Sequence, residues 1–178
     1  MIVVQLTGRP SSGKTTIAMH TAKRLVSEGI DAEVLDGDVL RNSPINSGLG
    51  FSENDRKLNL ERLYYIAELL VQHEIVVIIA AINPFESLRK KFAMDKPHVK
   101  TVWIKCNWQV LLERDTKGLY KRALLSEDHK DKLHEFTGVG SPYEEPEQPD
   151  LIIETDQLSI EQSVERLYTF ILRNIKSG

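Results

Sequence analysis

The sequence is poor in cysteine and in long apolar runs, and both shortages narrow the class of protein. Its 178 residues include one cysteine, Cys106, which excludes a disulfide within the chain and indicates a reducing compartment. Cys106 lies in an apolar run, which favours a buried structural thiol over a nucleophile. No stretch approaches the ~18 consecutive apolar residues that a membrane span needs, and no basic leader precedes the first strand. We therefore expect a cytoplasmic protein.

Excess charge is also lacking, and this excludes a general affinity for polyanions. The net charge of −3 gives no overall attraction to nucleic acid or to an anionic membrane. The fractions of apolar and charged residues, 41% and 28%, are those of an ordinary globular protein. At this length we expect one domain over residues 1–178, burying roughly 70% of the unfolded surface.

The most informative stretch is Gly8-Arg-Pro-Ser-Ser-Gly-Lys-Thr15, which fits the phosphate-loop pattern Gly-x-x-x-x-Gly-Lys-Ser/Thr. A β-rich run enters it and an amphipathic helix leaves it, as this loop requires. Its glycines allow backbone N–H groups to point at a phosphate, and the helix N-terminus adds further amides and the positive end of its dipole. Lys14 reaches the β- and γ-phosphates in such a loop, and the Thr15 hydroxyl binds Mg²⁺. The stretch predicts a nucleoside triphosphate site.

Strand and helix patterns alternate along the chain, which predicts a parallel sheet covered on both faces. The expected strands are Ile2–Leu6, Glu33–Leu35, Ile75–Ile82, Val99–Cys106 and Leu151–Ile153. The expected helices run from Lys14 to Gly29, from Ser52 to Gln72, over Glu86–Phe92 and Trp108–Arg114, and from Ser159 to Ile175. The fold class is α/β, a P-loop NTPase-like three-layer domain with a five-stranded parallel sheet.

Two segments do not fit this alternation. Residues 43–50 carry turn chemistry alone, and we expect an irregular loop there. Residues 117–149 are polar, charged and interrupted by glycine and proline, and long loops inside compact domains are usually functional or disordered. We expect a mobile lid over about 117–149; the alternative is a solvated surface insertion.

A second substrate is expected beyond the carboxyl ends of the strands, where open α/β sheets bind ligands. Asp36-Gly-Asp38 follows the second strand and offers carboxylates for a hydroxyl proton or for Mg²⁺ through water, or else is an ordinary acidic turn. Phe51 lies in a polar loop and is suited to stacking on a base, or else is a hydrophobic staple. Arg56 and Asn59 share a helix face and are spaced to hold an anion and a sugar, or else Arg56 is a solvated charge. Asn83 either contacts the ligand or satisfies the turn before Pro84.

Taken together, these segments resemble the adenylylsulfate (APS) kinase family of P-loop kinases over nearly the whole chain. The most specific strings are Asp36-Gly-Asp-x-x-Arg41, Leu49-Gly-Phe-Ser-x-x-Asp-Arg56, Glu113-Arg-Asp-x-Lys-Gly-Leu-Tyr-Lys121 and Phe136-Thr-Gly-Val-x-Ser-Pro-Tyr-Glu-x-Pro-Glu-x-Pro-Asp150. This family phosphorylates the 3′-hydroxyl of adenosine 5′-phosphosulfate with MgATP.

The resemblance implies a role for each matching residue. Asp38 would accept the 3′-hydroxyl proton, Lys117 would lie near the transferred phosphoryl group, and Asp36 with Thr15 would hold Mg²⁺ and its waters. The ATP site would comprise Gly8, Ser11, Ser12, Gly13, Lys14, Thr15, Thr16 and Arg114. The APS site would comprise Asp38, Arg41, Arg56, Asn59, Asn83, Lys117 and Thr137, with Phe51 and Phe136 on either side of the adenine. The cofactors implied are ATP and Mg²⁺, nucleic acid and membrane are not expected as partners, and the family suggests a homodimer.

The chain departs from the family pattern at four places. Asn83 replaces a serine linked to a phosphoenzyme, so we expect direct transfer. Ala81 stands where phenylalanine is frequent, and Gly140 replaces an acid. Between Ala123 and Phe136 the chain is about five residues longer than the pattern.

Two other functions fit the same residues. One is a kinase of the same build that acts on a different nucleotide or a small alcohol, which the departures favour because one fold hosts many substrates. The other is a nucleotide-binding regulatory protein without turnover, against which the intact Lys14, Thr15 and Asp38 argue.

Overall fold

A computed structural model describes residues 1–115 and 117–176. Within them, five strands form a parallel sheet. The strand order is β2-β3-β1-β4-β5, and every neighbouring pair is parallel. The strands are β1 (Val3–Thr7), β2 (Ala32–Asp36), β3 (Val76–Ala80), β4 (Val99–Lys105) and β5 (Leu151–Glu154). The predicted α/β class with five parallel strands is confirmed.

Helices cover both faces of the sheet and make up about half of the described residues outside the strands. They are α1 (Lys14–Ser27), α2 (Gly37–Arg41), α3 (Glu53–Gln72), α4 (Glu86–Ala93), α5 (Trp108–Arg114), α6 (Leu119–Ala123) and α7 (Ile160–Lys176). Five of them match the sequence-based expectation within a few residues. The short helices α2 and α6 were not expected.

The two faces of the sheet bury separate apolar clusters. Helices α1 and α7 pack on one face, where Leu25 and Leu167 are fully buried. Helices α3 and α4 cover the other face through side chains such as Leu63 and Phe92. Because β1 and β3 are buried on both faces, their sequences are nearly continuous apolar runs rather than alternating ones.

Gln5 is a buried polar side chain within the central strand, and its hydrogen bonds are satisfied. The Gln5 amide nitrogen donates to Thr101 Oγ1 at 2.8 Å and to the Arg89 carbonyl at 3.2 Å. Its oxygen accepts from the Tyr64 hydroxyl and from Asn83 Nδ2. A buried polar group costs little when it is bonded in this way. Gln5 therefore ties β1 to β4 and to the turn that follows β3.

The segment expected to be an irregular loop, residues 43–50, contains a 3₁₀ turn at Pro44–Asn46. Asn46 is buried, and its side-chain nitrogen donates to Asn59 Oδ1 on α3 at 2.6 Å and to the Leu40 carbonyl at 3.0 Å. These bonds to distant residues fix a segment whose local sequence indicates only turns.

No helix within residues 1–115 and 117–176 combines the length and the apolarity needed to cross a membrane.

The packing of α3 predicts a sharp contrast between two leucines of that helix. Leu63 faces the sheet at 0% exposure, whereas Leu69 is 43% exposed. We expect Leu63→Ala to lower the free energy of unfolding by about 2–5 kcal/mol, because it leaves a cavity in the core. Leu69→Ala, the matched control, should change it by no more than about 0.5–1 kcal/mol. Urea unfolding measures both, and equal losses would contradict this placement of α3.

Candidate active site

The phosphate loop connects β1 to α1, and close packing against the sheet fixes its position. A Cβ on Gly8 would lie 2.4 Å from the Ile104 carbonyl oxygen and 2.8 Å from Ser12 Oγ, so only glycine fits here. The loop then turns through left-handed residues, Ser11 at φ 61° and Gly13 at φ 95°. Gly13 directly precedes α1, so the first-turn amides of that helix face the loop interior.

Lys14 is the buried cation of this loop. Its Nζ donates to the carbonyls of Gly8 at 2.9 Å and Arg9 at 2.8 Å, and it approaches Ser12 Oγ at 3.3 Å. Burial, at 8% exposure, lowers the pKa of Lys14 to about 8, although the nearby carboxylates of Asp38 and Asp36 act to raise it. The lysine amine therefore bonds to neutral acceptors of its own loop, and an anion such as a phosphate would be a stronger acceptor.

Asp36 performs two structural tasks at the end of β2. One carboxylate oxygen accepts from the amides of Asp38 and Val39, which caps α2. The other oxygen accepts from the hydroxyl of Thr15, the last residue of the phosphate-loop motif, at 2.7 Å. The cap explains why a short helix forms here, and the second bond brings the two oxygen groups that were predicted to bind metal into contact.

Asp38 and Lys117 form an exposed ion pair across the cleft. Lys117 Nζ lies 2.7 Å from Asp38 Oδ2, although the two residues are 79 positions apart. Hydrogen bonding and charge attraction from Asp38 raise the pKa of Lys117. The structure thus brings together the carboxylate and the lysine that the family resemblance predicts at the reacting centre.

The predicted anion-binding arginines bond to the protein itself. Arg56 donates to the Phe51 carbonyl at 2.8 Å, to Thr137 Oγ1 at 2.7 Å and to the Glu135 carbonyl. Arg56 therefore connects the Phe51 loop to the segment that carries Phe136 and Thr137. Partial burial lowers its pKa.

Arg41 is similarly engaged beside Phe51. Its Nη1 donates to the Gly50 carbonyl at 2.5 Å, and its guanidinium lies 5.0 Å from the centre of the Phe51 ring. Burial lowers the pKa of Arg41 as well. Phe51 is 62% exposed, so its ring is available to a ligand, whereas Phe136 is mostly buried against lid residues.

The two predicted asparagines are buried at the edge of the cleft. Asn59 accepts from Asn46, as described above. Asn83 has a left-handed backbone at φ 44°, and its Nδ2 donates to Gln5 Oε1 at 3.0 Å. Its Oδ1 has no partner among the described residues. The Asn83 side chain therefore bonds to β1 rather than to the backbone of its own turn.

Arg114 lies on the opposite side, behind the phosphate loop. Its guanidinium donates to the hydroxyl of Thr155 at 3.0 Å and to its carbonyl at 2.6 Å, and the same hydroxyl donates to the Ser12 carbonyl at 3.0 Å. Cys106 is half-buried beside Arg114, and burial raises its thiol pKa, which agrees with a structural thiol but not with full burial.

All these groups meet in a cleft of about 1340 Å³. Sixteen of the predicted site residues line it, namely Ser11, Gly13, Lys14, Thr15, Thr16, Asp36, Asp38, Arg41, Phe51, Arg56, Asn59, Asn83, Arg114, Lys117, Phe136 and Thr137. Gly8 and Ser12 are buried beneath the lining and shape the loop.

Sequence reasoning missed several lining residues. Thr155 directly follows β5, so the rule that placed ligands beyond strand ends also applies to it. Arg122, Lys132 and His134 come from residues 117–149, and no local pattern marked them. Lys132 bonds to the Leu125 carbonyl at 2.7 Å and pairs with a lid glutamate.

The arrangement suits a magnesium ion held mainly by phosphates. Within residues 1–115 and 117–176, no group of three or more His, Cys, Asp or Glu side chains is placed to hold a metal. Mg²⁺ at phosphate-transfer sites usually takes one or two protein oxygens and keeps several waters. The Thr15 hydroxyl and the Asp36 carboxylate, already in contact, fit that requirement.

Comparison with known proteins shows the family of the chain. The sequence profile of the adenylylsulphate kinase family matches residues 1–154. A probable adenylyl-sulfate kinase of Halalkalibacterium halodurans is 43% identical over 95% of this chain and 82% of its own length. Adenylyl-sulfate kinase of Bacillus pumilus is 40% identical over 98% of this chain and 86% of its own length.

A solved structure gives the same result for the fold. The APS kinase of Mycobacterium tuberculosis, in complex with AMPPNP and APS, superimposes with a TM-score of 0.85 at 36% identity, covering 96% of each chain. The chain belongs to the adenylylsulfate kinase family.

Proposed function

We infer that this protein transfers the γ-phosphoryl group of ATP to the 3′-hydroxyl of adenosine 5′-phosphosulfate, giving 3′-phosphoadenosine 5′-phosphosulfate. The observation that carries this inference is the shared cleft, in which a phosphate loop faces the Asp38–Lys117 pair and two phenylalanines. Membership of the family supports the identity of both substrates.

We propose that Asp38 orients the acceptor hydroxyl and takes its proton. Phosphoryl transfer depends on positioning and charge neutralisation more than on covalent help, so a carboxylate beside the acceptor is sufficient. Lys117 Nζ lies 2.7 Å from that carboxylate, and this proximity supports a role for Lys117 beside the transferred group. Asn83, an amide, supports direct transfer without a phosphoenzyme.

On the ATP side, Lys14 and the loop amides would bind the phosphates. The Lys14 amine would exchange loop carbonyls for phosphate oxygens, and Thr15 with Asp36 would hold a magnesium ion. That ion, when bound, neutralises charge on the β- and γ-phosphates. Arg114 and Thr155 would adjoin the rest of the nucleotide.

On the acceptor side, Phe51 and Phe136 would hold the adenine between them. We propose that Arg56 serves this clamp by joining its two halves, and that Arg41 and Asn59 complete the acceptor site with Thr137. The lid, residues 117–149, would close over both substrates and exclude water, which limits ATP hydrolysis.

We also propose an oligomeric state and a cellular compartment for the enzyme. A homodimer is supported by apolar side chains exposed on one face of α3, Leu58, Tyr65 and Leu69. The single cysteine supports the cytoplasm as the compartment.

The reaction itself is tested by ADP release from MgATP with and without APS. We expect release to depend strongly on APS and to be lost in Lys14→Ala, because that variant lacks the buried cation of the loop. Release that responds to another nucleotide or alcohol but not to APS would contradict the substrate. Nucleotide binding without release for any acceptor would contradict enzymatic function.

The role of Asp38 predicts an effect on turnover rather than on binding. Asp38→Asn keeps the shape but loses the base, so we expect kcat to fall about 10²–10⁴-fold while KM for APS changes far less. Asp31→Asn, an exposed acid before β2 and outside the cleft lining, is the matched control and should leave both constants unchanged. A rise in KM with unchanged kcat would instead make Asp38 a binding group.

The lowered pKa of Lys14 predicts proton uptake when ATP binds. Bound phosphate favours the charged amine and raises its pKa above about 8, so the lysine gains a proton when binding occurs at a pH of about 8.5. ATP affinity should accordingly fall as the pH rises through 8. Calorimetry in two buffers of different ionisation enthalpy measures the uptake.

Lys14→Arg supplies the control for that titration, because the guanidinium stays charged. If this variant binds ATP with the same proton uptake as the wild type, Lys14 is not the titrating group.

A further inference from the structure

Tyr120, on the lid helix α6, reaches the phosphate loop from the far side. Its hydroxyl donates to the Pro10 carbonyl at 3.0 Å, joining residues 110 positions apart. The side chain is 1% exposed, and burial raises its pKa far above the physiological range. The hydroxyl therefore remains protonated and remains a donor.

The ring of the same tyrosine contacts the aromatic clamp. Its centre lies 4.9 Å from that of Phe136, with the two planes at 88°. Trp108 packs on it in the same edge-to-face manner at 5.3 Å. Such contacts are directional, so the orientation of the Phe136 ring depends on where Tyr120 is held. One buried side chain thus touches both the loop proposed for ATP and the ring proposed for APS.

We propose that Tyr120 is a positioning residue that couples the two substrate sites. Pro10 and Ser11 line the cleft, so a triphosphate in the loop would restrict the Pro10 carbonyl. The carbonyl restricts the Tyr120 hydroxyl, and the ring then presents Phe136 to the adenine. Each ligand binds more tightly to a site that the other has already ordered, which gives positive and reciprocal coupling. This proposal rests on the proposed function, since it takes APS as the second ligand.

The alternative is that Tyr120 only fills the core of the lid, where it packs beside Leu111 and Ala123. A packing role predicts lower stability, or weaker binding of both ligands, with an unchanged ratio between the affinity for an ATP analogue in the presence of APS and the affinity in its absence. The ratio therefore separates the two roles.

The experiment measures the dissociation constant of a non-hydrolysable ATP analogue with and without saturating APS. In the wild type we expect APS to tighten analogue binding by about 5–150-fold, the usual range of coupling between sites. Tyr120→Phe keeps the ring and loses only the bond to the loop, so this factor should shrink about two- to tenfold. Tyr168→Phe removes a hydroxyl that bonds to Glu28 outside the cleft lining, and it should leave the factor unchanged.

A second variant makes the result independent of how well Tyr120→Phe folds. Phe136→Leu keeps an apolar side chain but loses the edge-to-face contact, and it should also reduce the coupling factor. Because the two side chains act in one chain of contacts, the double variant should lose no more than the larger single loss.

The outcomes distinguish this proposal from the proposed function. A factor unchanged in Tyr120→Phe, a wild type that binds both ligands without coupling, or independent losses in the double variant would overturn the coupling role alone. A wild type that binds the analogue but not APS would overturn the proposed function, and the coupling with it.

Discussion

The contact between Gly8 and the carbonyl of Ile104 fixes the position of the phosphate loop, and the rest of the site is arranged around that loop. With no side chain at residue 8, the loop lies directly against β4, where a Cβ would stand 2.4 Å from the carbonyl oxygen. The loop is therefore held in place by packing against the sheet, whose central strand is buried on both faces. The loop in turn positions Lys14, whose amine bonds to the Gly8 carbonyl, and Pro10, whose carbonyl accepts a hydrogen bond from Tyr120 on α6.

The charged groups of the cleft contribute little to stability. Burial disfavours the charged form of Lys14 and so lowers its pKa. The hydrogen bonds to loop carbonyls offset only part of the lost hydration. The Asp38–Lys117 pair is exposed, and such pairs contribute roughly 0–1 kcal/mol. Both features are explained by the proposed substrates. The phosphates would supply the counter-charge for Lys14, and the acceptor hydroxyl would donate a hydrogen bond to Asp38.

The sequence predicts the sheet well because strands hidden on both faces must be apolar runs, as at Val76–Ala80. It predicts which residues line the cleft because parallel strands end at one edge of the sheet, as at Asp36 and Asn83. Short elements are different: α2 depends on a cap from Asp36, and α6 lies in a segment whose composition indicates a loop. Contacts between residues far apart in the sequence could not be predicted either. Arg56 was assigned to the ligand from its helix spacing, yet three of its N–H groups bond to the protein, and no local pattern reveals those partners.

The central claim is that one cleft holds an adenylate with its 3′-hydroxyl between Asp38 and the phosphate loop. A crystal structure of this protein with a non-hydrolysable ATP analogue and APS tests it most directly. The account predicts the 3′-oxygen within hydrogen-bond distance of the Asp38 carboxylate, the terminal phosphate at Lys14 and Lys117, and the adenine between Phe51 and Phe136. An adenylate bound with its ribose turned away from Asp38, or outside the two phenylalanines, would contradict it.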